Sequence, residues 1–109
     1  MTADCLFCTL FREGEHVAAA EGVVAIRDIA PRAPTHLLVI PERHVESLRD
    51  VADFPADEAK RMLDFIAITA ANEGLDDYRV IVNVGAGAGQ TVFPLHWHIL
   101  GGRSLGGMG

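Results

Sequence analysis

One segment of this chain carries a sustained helical period, and its isolation limits what the rest can build. In SLRDVADFPADEAKRMLDFIAITAANEG, residues 47–74, Pro55 suits the first turn of a helix. Asp57 and Glu58 complement its positive N-terminal end, and Gly74 is the natural stop. Ala59, Met62, Leu63, Ile66 and Ala70 recur at helical spacing and form the predicted core face. Phe65 and Ile68 widen that stripe, which fits either a deeply packed helix or a second apolar face against another subunit. The other candidate helix is short: LFCTLFREG supports one or two turns closed by Gly14. Everything else reads as short strands separated by tight turns. That pattern favours an α+β fold, with an antiparallel sheet, over a doubly wound parallel one.

The strands follow from turn chemistry. HVAAAEGVVAIRD reads as a hairpin turning at Glu21-Gly22, with Val23 to Arg27 as its β-rich arm. Two prolines within four residues make IAPRAPT a loop. HLLVIP, 36–41, is a continuous apolar run, as a buried central strand requires, and Pro41 ends it. YRVIVNV, 78–84, and TVFPLHWHIL, 91–100, are the remaining predicted strands, joined by the glycine-rich turn GAGAGQ. The whole is one domain over residues 1–109, about five strands with one long and one short helix. Residues 1–14 form a Cys-x-x-Cys segment at one end, and GGRSLGGMG, 101–109, is expected to be a flexible tail.

Composition narrows the function. The formal net charge is −6, which argues against nonspecific binding to nucleic acid or to membranes. It does not disfavour a small phosphate ligand, which backbone N–H groups can hold without lysine. No apolar run is long enough to span a bilayer, and the start of the sequence lacks the basic and apolar regions of a secretory signal, so the cytoplasm is the expected location. Both cysteines, Cys5 and Cys8, fall in one motif, which in a reducing compartment reads as metal or redox chemistry.

In TVFPLHWHIL a strand would turn Pro94, His96 and His98 to one face. Two imidazoles on one face each need a hydrogen-bond partner, and together they disfavour double protonation. One can then act as nucleophile or base while the other donates a proton. Asn83, Gly85, Gly87, Gly89, Gln90 and Thr91 bring short polar groups and backbone N–H groups to the edge of that strand, a composition suited to an anion. His36 opens the central strand and His44 follows it; with Cys5 and Cys8, His44 offers zinc a ligand set that lacks an obvious fourth member. Asp28 reads as a turn carboxylate or as an acceptor for a sugar diol.

Taken together, DCLFC, RDIAPRAPTHLLVIPERH and VNVGAGAGQTVFPLHWHILGGR resemble the histidine triad (HIT) superfamily, in particular its Hint branch, over nearly the whole chain. The family hallmark, three histidines alternating with apolar residues, falls here on Pro94-Leu95-His96-Trp97-His98-Ile99-Leu100. The resemblance implies a HIT-like fold, a homodimer and a purine nucleotide site. It also implies attack by His96 on the α-phosphate, giving a nucleotidyl-imidazole that water hydrolyses. His98 would contact the phosphate or leaving group, and His36 matches a further active-site histidine. Asp28 matches the acid that holds the ribose; Asn83, Gly89, Gln90 and Thr91 fall on the phosphate side; Ile26 and Ile29 match apolar residues around the base.

The expected activity is hydrolysis of nucleoside phosphoramidates or related nucleotidyl conjugates, with no cofactor required for catalysis. Nucleotide binding without turnover, and dinucleoside polyphosphate cleavage, are the alternatives. Two departures stand out. Pro94 replaces the first triad histidine but keeps a carbonyl that can accept from His96 Nδ1–H. The same replacement removes the fourth ligand of the family's zinc set, leaving Cys5, Cys8 and His44. The tail also lacks the family's Trp-Pro-Pro-Gly ending.

Overall fold

A computed structural model describes residues 6–107. A short helix, α1 (Leu6–Glu13), leads into a hairpin of β1 (Ala18–Ala20) and β2 (Val23–Arg27). The central strand β3 spans Thr35–Pro41, the long helix α2 spans Ala56–Asn72, and β4 (Tyr78–Ile81) and β5 (Trp97–Gly101) complete the sheet. Two 3-10 turns, Leu48–Asp53 and Ala86–Ala88, lie between these elements. All pairings are antiparallel, in the order β1-β2-β3-β5-β4. The expected α+β architecture, with five strands and one long and one short helix, is the one observed.

The pleat divides the sheet into two chemically different faces. Val23, Ala25, Leu37, Val39 and Ile99 turn to one side and pack with Met62, Phe65, Ile66 and Ala70 of α2. Val24, Ile26, Leu38 and Ile40 turn to the other and pack with Phe7 of α1. His36 and His98 share this second face: His36 is paired with Leu100, and His98 with Leu38. The α2 stripe is narrower than its sequence suggests. Leu63 and Ile68 are exposed, because the sheet covers only the arc centred on Met62, Phe65, Ile66 and Thr69. Gly74 closes the helix as expected, at a φ of 79° with its N–H on the Ala71 carbonyl.

The last two strands are shorter than expected. Pairing of β5 begins only at Trp97, so Thr91 to His96 lie outside the sheet. Pro94, after a cis Phe93-Pro94 bond, has no N–H to offer a ladder, and the Leu95 N–H bonds the Val45 carbonyl at 2.9 Å instead. Nor does the tail trail freely from Gly101. Gly101 ends β5, Arg103 donates to the Arg32 carbonyl at 3.2 Å, and Arg79 holds the carbonyls of Gly106 and Gly107 at 2.9 and 3.0 Å.

Candidate active site

The histidines predicted from two separate stretches come together beneath α1. His36 arrives on β3, His98 on β5, and His96 on the segment just before β5. Ring centroids lie 5.1 Å apart for His36 and His98, and 5.1 Å for His96 and His98. His36 Nε2 is 2.9 Å from His98 Nδ1. The Arg32 backbone N–H donates to His36 Nδ1 at 3.0 Å. His36 and His96 are buried, whereas His98 keeps part of its surface open.

His96 is held from two sides. Its Nδ1 lies 3.1 Å from the Pro94 carbonyl. A carbonyl only accepts, so Nδ1 carries the proton and the lone pair of the neutral ring is on Nε2. Phe7 meets the ring edge to face, with centroids 4.7 Å apart. Burial pushes the pKa of all three histidines below the usual imidazole value. His98 falls furthest, to about 4, because His96 and His36 add to the cost of its positive charge. The site therefore presents neutral imidazoles near neutral pH.

Asp28 follows β2 beside this cluster. Its Oδ1 accepts from the Ala30 N–H at 2.8 Å, and its Oδ2 lies 3.4 Å from His36 Nε2. Of the two predicted apolar contacts, Ile29 stands fully exposed on the rim. Ile26 is buried in the cluster under α1, with 7% of its surface left.

The glycine turn is less open to an anion than its composition suggests. The N–H groups of Ala88, Gly89 and Gln90 bond carbonyls within the turn, at 3.0 to 3.1 Å. Gly85 donates to Gln90 Oε1 at 2.9 Å, and Gln90 Nε2 donates to the Glu46 carbonyl at 2.8 Å. Gln90 is 2% exposed. This amide braces the turn against the segment after β3. Asn83 and Thr91 remain the polar side chains in this stretch without a hydrogen bond among the described residues.

At the Cys-x-x-Cys corner, Cys8 Sγ lies 3.3 Å from His44 Nδ1. They line a pocket of about 150 Å³ with Phe7, Phe11, Ile40 and Pro94. Cys5 lies outside the described residues. Where a fourth zinc ligand would stand, Pro94 presents a ring without a donor atom, so this residue set does not fit the closed tetrahedral site of a structural zinc. A cleft of about 810 Å³ runs between residues 74–79 and 102–106 and contains none of the histidines. Chemistry rather than volume locates the site.

The sequence did not single out Phe7, the Arg32 amide or the bracing role of Gln90. Phe7 lies inside the quoted Cys-x-x-Cys motif and Arg32 inside the proline loop, so each was adjacent to a recognised signal.

The fold and site together define an α+β protein whose antiparallel sheet presents a cluster of neutral histidines, one with its lone pair set by a backbone carbonyl. Comparison with known proteins refines that class. The HIT domain model matches residues 12–105. A HIT-like protein of Chlamydia pneumoniae is 44% identical over 96 residues, covering 84% of each chain. The purine nucleoside phosphoramidase of Escherichia coli K12 is 43% identical over 88 residues, covering 79% of this chain and 74% of its own. The crystal structure of a HIT family hydrolase from Legionella pneumophila superposes with a TM-score of 0.87 at 38% identity, covering 94% of this chain and 96% of its own. The chain belongs to the HIT domain family.

Proposed function

We propose that this protein hydrolyses purine nucleoside 5′-phosphoramidates or closely related nucleotidyl conjugates, releasing the nucleoside monophosphate through a nucleotidyl-His96 intermediate. The observation that carries this reading is the bond between His96 Nδ1 and the Pro94 carbonyl, which leaves Nε2 as a free lone pair. Similarity to a purine nucleoside phosphoramidase supports the substrate class.

In the scheme, Nε2 attacks the α-phosphorus and the P–N bond of the substrate breaks, its electron pair leaving with the nitrogen. Water then attacks the same phosphorus, displaces His96 and restores the lone pair. Overall the hydroxyl of water ends on phosphorus and its proton on the departing amine. Splitting one displacement into two is the gain of covalent catalysis, and holding the ring in one orientation removes an entropic part of the barrier. His98 lies beside His96 to contact the phosphoryl group or leaving group. Asp28 is the candidate acceptor for the ribose hydroxyls, Asn83 and Thr91 for phosphate contacts, and Ile29 for contact with the base. Each role is filled by a side chain or the backbone, so the scheme routes no step through zinc at Cys5, Cys8 and His44.

A homodimer in the cytoplasm belongs to the same proposal. It is supported by Leu63 and Ile68 exposed on α2, and by the edge position of β4, where Tyr78 and Val80 are exposed. Among the described residues no helix is long and apolar enough to cross a membrane.

Incubation with adenosine 5′-phosphoramidate tests the activity. Release of AMP by the native protein, and a loss of about 10⁴-fold or more in His96→Ala, is the expected result. Unchanged turnover in His96→Ala would overturn the mechanism; AMP binding without release would favour a binding module.

A further inference from the structure

His36 and His98 are joined nitrogen to nitrogen, and the direction of that bond is fixed from outside the pair. The Arg32 backbone N–H can only donate, and it points at His36 Nδ1 from 3.0 Å. Nδ1 must therefore hold a lone pair, which puts the single proton of the neutral ring on Nε2. That nitrogen is 2.9 Å from His98 Nδ1, so His36 donates and His98 accepts. The proton of neutral His98 is then on its own Nε2, the nitrogen directed away from His36. Asp28 Oδ2, 3.4 Å from His36 Nε2, favours a proton on the same atom. The aim of the Arg32 amide is itself held in place. The Asp28 N–H bonds the His36 carbonyl at 3.0 Å across the base of the loop, and Arg103 donates to the Arg32 carbonyl.

A second proton on His98 would have to sit on Nδ1, facing His36 Nε2–H. To receive it, His36 would have to shift its own proton to Nδ1, against the Arg32 N–H, so that two donors met head to head at a ring only 6% exposed. We propose that His36 is a positioning residue which, with the Arg32 amide, fixes His98 as a neutral imidazole offering Nε2–H, not an imidazolium, to the phosphoryl group beside His96. This rests on the nucleotidyl-transfer reading given above. His98 then donates a hydrogen bond and keeps its proton, and the departing nitrogen draws its proton from water. Burial, His96, His36 and Arg32 all disfavour a charged His98, with Asp28 opposing them.

Asp28, His36 and His98 place possible ligand atoms within 4.8 Å of one another, a spacing that could also suit a cation. The Arg32 amide argues against that use, because a cation at His36 Nε2 would force the ring proton onto Nδ1, against a donor.

Ring-nitrogen NMR on the 15N-labelled full chain at pH 7, alone and with AMP, reads the arrangement directly. The expected spectra show His98 Nδ1 unprotonated and Nε2 protonated in both states. Two protonated nitrogens on His98, or a proton on Nδ1 alone, would overturn the proposal. His36→Gln keeps a donor near the place of Nε2, whereas His36→Leu keeps none. Loss of the single His98 tautomer in the leucine variant is expected, with kcat for adenosine 5′-phosphoramidate down about tenfold or more and KM nearly unchanged, and both restored by glutamine. A leucine variant that retained the tautomer would also overturn it. If leucine prevents folding, the native spectra still decide. If the native protein releases no AMP, the proposed reaction fails while the spectra judge the tautomer independently.

Discussion

Pro94 acts on His96 through its backbone and on the Cys8 corner through its ring, and these two contributions separate experimentally. Its carbonyl holds His96 Nδ1 at 3.1 Å, a service that any residue with the same backbone path could give. Its side chain supplies no ligand atom to the pocket shared with Cys8 and His44. Purified from zinc-supplemented medium, the native protein is therefore expected to hold well under one zinc per chain by elemental analysis, and Pro94→His to approach one. A native chain that retained one zinc through dialysis against chelator would contradict this. Phe7 touches the nucleophile from the other side. Its edge-to-face contact with His96 is worth about 0.5–1.5 kcal/mol beyond burial, so Phe7→Leu should lower kcat roughly two- to thirteenfold, with a smaller effect on KM. The histidines were legible in the sequence because two imidazoles two residues apart have few structural explanations. The bracing bonds of Gln90 were not, since nothing in GAGAGQ says which way an amide points or that its partner is the Glu46 carbonyl 44 residues away.

The elements follow sequence period wherever burial decides them and depart from it where individual hydrogen bonds do. HLLVIP forms the central strand and the α2 stripe forms the core, as their patterns require. TVFPLHWHIL has the apolar content of a strand along its length, yet Pro94 cannot donate and Leu95 donates to Val45, so only its second half joins the sheet. That departure matters for the site. Were His96 in the ladder, its orientation would come from strand pairing; instead it comes from a local bond to Pro94. The neighbouring turn depends likewise on one side chain. Gln90→Ala would leave the buried Gly85 N–H without its partner, at a cost of about 1–3 kcal/mol. Urea unfolding should show that loss as a lower midpoint with an unchanged slope.

Across the whole molecule, the buried histidines tie stability to pH. His36, His96 and His98 have lower pKa values folded than unfolded, so between the depressed folded values and the ordinary 6.5 the unfolded chain binds more protons. Their contribution is fully present above 6.5 and is lost as pH falls, for His98 toward about 4. Denaturant midpoints should thus decline from pH 7 to pH 5, and His98→Asn should make that decline shallower. The association state is a second property at this scale. Light scattering is expected to give twice the chain mass, and Leu63→Asp with Ile68→Asp to reduce it; a native monomer would refute the dimer. The proposed covalent route makes the sharpest demand on the assembled site, because two in-line displacements at one phosphorus restore its configuration. Hydrolysis of a P-chiral adenosine 5′-phosphorothioamidate in 18O-labelled water measures this directly. The account predicts net retention at phosphorus; net inversion would show that water attacks the substrate itself and would contradict a nucleotidyl-His96 intermediate.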